Sequence, residues 1–275
     1  MAGLINRHIS IVTDKSQTTR NNIIGVYNDK DTQIVFLDTP GIHKPVAQLG
    51  QEMNNMAYSA AHDVDVAILV VDASKPFGAG DTYIIEHLDI HNVPLIIAFN
   101  KIDLARLDKT EELKKTYRSY FKDAIMVDTV AKEHFNLDEL VNKVKSFLKE
   151  GPAYYPTEMV TDKDEIFQIK EIIREKVLKE LRQEVPHSVA IYMDNIDWEA
   201  SPILIQASIV VEKDSQKGIV IGEKGKRIRS IGLKARRDIE QLLCKHVYLE
   251  LFVKVEEDWR DKDSSLKKYG YKKED

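Results

Sequence analysis

Four short apolar runs set the main constraint on what this chain can fold into. Residues 32–37, 64–71, 93–99 and 124–127 are rich in valine and isoleucine and mostly lack in/out alternation. Strands buried on both faces read this way. Helical patterns separate them at 47–62, 81–91, 109–121 and 137–149. Strand, helix, strand in succession predicts a doubly wound parallel α/β sheet with helices on both faces.

At Gly151 the rhythm changes. GPAYYPTEM holds two prolines and two tyrosines and reads as a linker. A long amphipathic helix follows, with Ile166, Ile169, Ile172, Ile173, Val177 and Leu181 at helical spacing and Pro186 at its limit. Strands are predicted at 188–193 and 203–211, the second alternating cleanly through Ile203, Ile205, Ala207, Ile209 and Val211. A basic helix bearing Ile228, Ile231, Ala235, Ile239 and Leu242 leads to a last strand, VYLELFVKV. With GIVIG in a short helix, the order is helix, strand, strand, helix, helix, strand. The expected division is 1–150, a linker at 151–165, and an α+β domain at 166–275.

Composition narrows the class. At 275 residues one large or two medium domains are expected, and 43% apolar content allows a proper core. No apolar run is long enough to span a bilayer, and the N-terminus lacks the apolar stretch of a signal peptide. A lone Cys244 excludes an internal disulfide and a cysteine-based zinc cluster. A reducing, cytoplasmic setting is expected.

Asp38, Thr39, Pro40 and Gly41 follow one apolar run; Asn100, Lys101, Ile102 and Asp103 follow another. Open parallel sheets bind ligands at that edge. An aspartate there can hold magnesium through water, and a glycine lets its N–H approach a phosphate. Asp103 can accept two N–H bonds from a guanine edge, Asn100 can bond the base, and the Lys101 stem can cover a ring face. Each tetrad alone matches an ordinary turn or cap. Paired at strand ends, with 64–72 between them, they point to a guanine-nucleotide site. Thr18 and Thr19 offer hydroxyls for magnesium in a mobile loop, although a polar loop before a strand reads the same.

The second half carries a different chemistry. Residues 213–237 hold nine lysines and arginines against two acids, in a chain of net charge −5. A charge run is usually a solvated helix face. Here it surrounds Gly222, Glu223, Lys224 and Gly225, a GxxG loop of the kind that clamps about four nucleotides of single-stranded RNA. Ile219, Ile221 and Ile228 can form an apolar floor. Phe252 and Trp259 read as packing residues rather than base-stacking platforms. The tail SSLKKYGYKKED reads as a frayed, solvated end.

These motifs, with ISIVTDKSQTTRNNIIGV before DTPGIHKP, resemble the Era family of GTPases from about Ile9 onward. The resemblance implies a GTPase-type sheet followed by a type II KH domain, with GTP or GDP and Mg2+ as ligands. It implies a partner at the 3′ end of small-subunit ribosomal RNA during ribosome assembly. By resemblance the nucleotide residues are Asp38, Thr39, Pro40, Gly41, Ile42, Asn100, Lys101, Ile102, Asp103 and Ala131. Thr18, Thr19 and Asp38 would face the metal, and Thr19 and Gly41 would support catalysis. Ile42 stands where many small GTPases carry a water-orienting glutamine, which implies slow hydrolysis. Val130-Ala131-Lys132 matches the base-side loop, where the Ala131 N–H can meet the guanine oxygen. The RNA residues are Gly218, Ile221, Gly222, Glu223, Lys224, Gly225, Lys226, Arg227 and Arg229, with Glu223 placing an acid in the clamp. A monomer is expected, with weak peripheral association with anionic membrane.

One departure concerns the phosphate loop, GxxxxGK[ST], which does not occur in this sequence. By resemblance that loop and its strand lie upstream of Met1, and residues 1–7 match the helix that follows them. The strand would sit centrally, so a chain without it exposes two apolar edges. This chain is expected to bind GTP poorly and hydrolyse it negligibly. The alternative is a nucleotide-independent single-stranded RNA binder with a vestigial GTPase domain.

Overall fold

The computed structural model describes residues 1–5, 11, 13, 18–62, 64–88, 90, 93–181 and 188–273. The chain forms two compact units. The first draws on Met1–Ile9, Asn22–Lys44 and Met53–Asp162; the second on Ser10–Asn21, Pro45–Glu52 and Lys163–Asp275. The segment carrying Thr18 and Thr19 therefore groups with the second unit.

In the first unit the order is α1 (Ala2–Ile5), β1 (Ile23–Asn28), β2 (Gln33–Asp38), α2 (Gln48–His62), β3 (Ala67–Asp72), α3 (Ala79–His87), β4 (Leu95–Asn100), α4 (Leu107–Tyr120), β5 (Ile125–Thr129) and α5 (Leu137–Lys145). The start of α2, through Glu52, groups with the second unit. β3, β4 and β5 form a parallel sheet in that order. Every apolar residue of β4 is buried, from Leu95 to Phe99. Helices cover both of its faces: Ile97 and Phe99 pack with Leu113 and Tyr117 of α4, while Ile96 and Ala98 pack with Leu140, Val141 and Val144 of α5.

β1 and β2 form a separate antiparallel hairpin, where the sequence pattern predicts a parallel arrangement throughout. The Asp29 carboxylate closes its turn by accepting the Asp31 and Thr32 N–H groups at 3.4 and 3.1 Å. β2 and β3 are not hydrogen-bonded neighbours. Their apolar residues Val35, Leu37 and Val70 are exposed, Val70 at 63%.

The segment that reads as a linker is an ordered strap on the hairpin. Val26 N–H donates to the Val160 carbonyl at 2.9 Å, Gln33 Nε2 to the Tyr155 carbonyl at 2.8 Å, and Asn28 Nδ2 to the Thr157 carbonyl at 3.0 Å. Backbone groups of an edge strand need partners, and the strap supplies one to β1.

In the second unit the order is α6 (Glu165–Glu180), β6 (Ala190–Asp197), β7 (Ile203–Val211), α7 (Asp214–Ile221), α8 (Lys226–Leu243), β8 (Val247–Val255) and α9 (Asp263–Tyr269). Asp164 caps α6 by accepting the Phe167 N–H at 2.7 Å. The Pro186 signal for the end of α6 lies outside the described residues. The sheet order is β6-β7-β8, with β7 antiparallel to β6 and parallel to β8. Ile203, Ile205, Ala207, Ile209 and Val211 share one core with Ile169, Ile173 and Val177 of α6 and Ile231, Ala235 and Ile239 of α8. Trp259 is fully buried, whereas Phe252 is 46% exposed. The packing role expected of Phe252 is thus corrected: it lies on the strand face opposite the core-facing Leu251 and Val253. The C-terminal segment, expected to fray, contains α9 and buries Leu266, Tyr269 and Tyr271.

Candidate nucleotide and RNA sites

Three strand ends finish at one level. The parallel registers pair Asp72 with Asn100 and Asn100 with Thr129. Just beyond β4, Lys101 takes a left-handed conformation, φ 63° and ψ 36°. A lysine holds that conformation where its surroundings enforce it, and such residues cluster at functional sites. Its Nζ donates to Asp72 Oδ2 at 2.8 Å. Asp72 also accepts the Ser74 N–H at 3.1 Å and the Ser74 hydroxyl at 2.5 Å. Burial disfavours charge on Asp72, but the Lys101 and Ser74 bonds outweigh it and hold the carboxyl below its ordinary value. Sequence reasoning missed Asp72 as the brace of Lys101; its place at the end of LVVD was the available signal.

Asn100 braces the next loop. Its Oδ1 accepts the Ala131 N–H at 2.9 Å and the Thr129 hydroxyl at 3.4 Å. The Ala131 N–H, the donor expected to meet a guanine oxygen, is thus engaged inside the protein. Asp103 lies exposed on the turn Ile102–Leu104. One accessible carboxylate, one side-chain amide and the Lys101 stem form a donor and acceptor set that fits a guanine base.

Asp38 ends β2, in the separate hairpin. After it, Pro40 is buried and Gly41 exposed. A Cβ on Gly41 would meet nothing within 4 Å. This glycine therefore relieves no clash. Asn54 of α2 pins the loop: its Oδ1 accepts the His43 N–H at 3.2 Å and its Nδ2 donates to the His43 carbonyl at 2.7 Å. Asn54 is buried, as are Leu49, Met53 and Ala57 of the same helix. A polar residue among the apolar positions of an amphipathic helix was the signal that could have found it.

Thr18 and Thr19 are half-buried, and the Thr18 carbonyl accepts from Arg174 Nη2 at 2.5 Å. Among the described residues, no group of three or more His, Cys, Asp or Glu side chains gathers to hold a metal. Asp38 and Gly41 are the described groups that the sequence offers toward phosphate and metal, and the motif GxxxxGK[ST] does not occur in the sequence.

The GxxG loop joins α7 to α8. Gly222 has φ 70° and ψ 175°, a region open almost only to glycine. A Cβ there would lie 2.7 Å from Arg227 Cβ. Gly225 has φ 75°, and Lys224 between them is also left-handed at φ 51°. The loop is tied down by Gly222 N–H to the Gly218 carbonyl at 2.9 Å and by Arg227 Nη1 to the Ile219 carbonyl. Arg227 is thus partly committed to the loop. Glu223 stands 4.0 Å from Lys226, with both side chains about three-quarters exposed. A pair so exposed is worth little. Ile219 is exposed beside the loop, in keeping with an apolar floor. The outer side of α8 adds an open groove of about 470 Å³ lined by Lys226, Arg229, Ser230, Leu233, Lys234, Arg236 and Arg237.

Two family models match the chain. One described as a 50S ribosome-binding GTPase matches residues 1–101, and a KH domain model matches residues 184–260. Among solved structures, Era in complex with MgGDPNP and nucleotides 1506–1542 of 16S ribosomal RNA is 34% identical, with a TM-score of 0.92. That match covers 98% of this chain and 92% of the other. A substituted Aquifex aeolicus Era bound to GDP·AlF4− is also 34% identical, with a TM-score of 0.90, covering 98% and 93%. With this identity over nearly its whole length, the chain belongs to the Era family of GTPases.

Proposed function

We propose that this chain is a ribosomal RNA-binding protein of the small-subunit assembly machinery, whose RNA contact is the GEKG clamp. The observation that carries the reading is the clamp itself. Gly222 and Gly225 hold positive-φ conformations that turn the chain sharply, and α8 follows with Lys226 and Arg229 exposed. Such a loop grips the sugar-phosphate chain of a single strand, while Ile219 and Ile221 lie under the bases. The relative solved with nucleotides of 16S ribosomal RNA supports the choice of RNA.

Guanine nucleotide and Mg2+ are the ligands of the other unit. Asp103 and Asn100 would hold the base, Lys101 would cover it, and Asp38 would serve the metal. Bound Mg2+ would neutralise charge on the terminal phosphates. The setting is cytoplasmic and the chain a monomer.

Fluorescence anisotropy with a single-stranded RNA matching the 3′ end of small-subunit ribosomal RNA tests the clamp. Saturable binding that exceeds binding to a scrambled strand is expected; equal binding to both would refute the RNA assignment. Fluorescent GDP titration tests the other unit. Weak but guanine-selective binding abolished by Asp103→Ala is expected. No guanine selectivity would favour a nucleotide-independent RNA binder.

A further inference from the structure

The segment that carries Thr18 and Thr19 is held at two points within the second unit. Arg174 of α6, 1% exposed, donates through Nη2 to the Thr18 carbonyl at 2.5 Å, while its Nε and Nη2 bind Glu171 at 2.8 and 2.7 Å. Two residues on, the Arg20 side chain is 4% exposed. Its Nη1 donates to the Val189 carbonyl at 2.6 Å and lies 3.4 Å from the Tyr271 hydroxyl. The guanidinium stands 5.5 Å from the Tyr271 ring and 6.0 Å from the Trp259 ring. Trp259 is itself fixed, its Nε1 donating to the Ser188 carbonyl at 2.9 Å and its ring stacked on Tyr271.

A buried guanidinium is costly unless its donors and its charge are met. Here a carbonyl and two aromatic rings help to meet them, and planar Arg suits a stacked socket in a way Lys does not. The socket is built from the segment leading into β6 and from the C-terminal segment. None of Val189, Trp259 or Tyr271 belongs to the RNA clamp.

We propose that Arg20 is a positioning residue: seated between Val189, Trp259 and Tyr271, it fixes the Thr18–Thr19 pair on the RNA-binding unit. The pair is the one that the resemblance to the Era family assigns to the metal, and the socket makes its order depend on that of the C-terminal segment. By linkage, whatever loosens residues 259–271 also loosens Thr18 and Thr19.

Hydrogen exchange on the full chain tests this, comparing wild type with Arg20→Met, Arg20→Lys and Tyr271→Phe. Loss of a charged, buried hydrogen bond is expected to speed exchange at residues 18–22 by about tenfold or more. Arg20→Met should speed residues 259–271 as well, and Tyr271→Phe should speed 18–22 in return. Arg20→Lys should restore part of the protection. Exchange within β7 and affinity for a short single-stranded RNA should stay within about twofold of wild type. Unchanged exchange at 18–22 would overturn the proposal. So would a general rise that includes β7 and a matching loss of RNA affinity, since that marks plain destabilisation. If Arg20→Met does not fold, Tyr271→Phe and Arg20→Lys decide the reciprocal effect. Failure of the wild type to bind RNA would refute the proposed function while leaving the exchange result to judge Arg20.

Discussion

Replacing Gly222 by alanine should damage the clamp more than the same change at Gly225, and the structure says by how much. At φ 70° and ψ 175°, an alanine at 222 enters a region that costs about 1–3 kcal/mol. Its Cβ would also sit 2.7 Å from Arg227 Cβ and 3.2 Å from Arg227 N. Neither atom is the end of a flexible side chain, so the first turn of α8 must shift, at about 1–3 kcal/mol more. The total is at least about 2 kcal/mol. At Gly225, φ 75° and ψ 10° is ordinary left-handed space, and a Cβ would meet nothing within 4 Å. That change costs about 1–2 kcal/mol. Urea unfolding gives the stability loss. Anisotropy with a short single-stranded RNA at fixed salt gives the affinity loss, since salt alone moves such affinities. Gly222→Ala should bind RNA at least about tenfold more weakly, tenfold being about 1.4 kcal/mol. Wild-type behaviour of Gly222→Ala, or a larger loss at Gly225, would refute the claim that loop conformation sets the clamp.

Three further outcomes rest on particular contacts. Arg229→Ala should leave the unfolding midpoint unchanged and lower the salt slope of RNA binding by about 0.7, the value for one single-strand phosphate contact; an unchanged slope means that Arg229 touches no phosphate. Asn100→Ala orphans the Ala131 N–H, which should cost about 1–3 kcal/mol in urea unfolding and reduce fluorescent GDP binding. The lowered pKa of Asp72 contributes stability that is fully present above the ordinary aspartate value, about 3.9, and is lost as pH falls toward and through the folded value. Asp72→Asn should therefore flatten the acid limb of unfolding midpoints and leave the rest of the curve's shape alone.

Much of the fold was legible because burial leaves a period. β4 reads as an unbroken apolar run since both its faces are covered, and the Ile203–Val211 alternation marks the face of β7 that meets the helices. The hairpin partner β1 escaped sequence reading. Its signal, two strand-like runs around the polar turn NDKD, was available, but Gly25 and the short length blurred it. The strap at 154–162 left no signal at all, because its bonds go to residues more than a hundred positions away. Asn54 left a weaker trace, a polar residue among apolar helix positions, but its partner, the backbone of His43, could not be read from a pattern.

Residue identity and spacing were enough to name the chemistry on offer: two acidic tetrads after buried strands, a GxxG loop before a basic helix, and no phosphate loop. Which of these groups are already engaged emerged only from the folded arrangement. Ala131 gives its N–H to Asn100, Lys101 is drawn to Asp72, and Arg20 is buried among Val189, Trp259 and Tyr271. Such commitments join groups far apart in the chain, where a hydrogen bond or a desolvated charge depends on distance in space and leaves no period along the sequence.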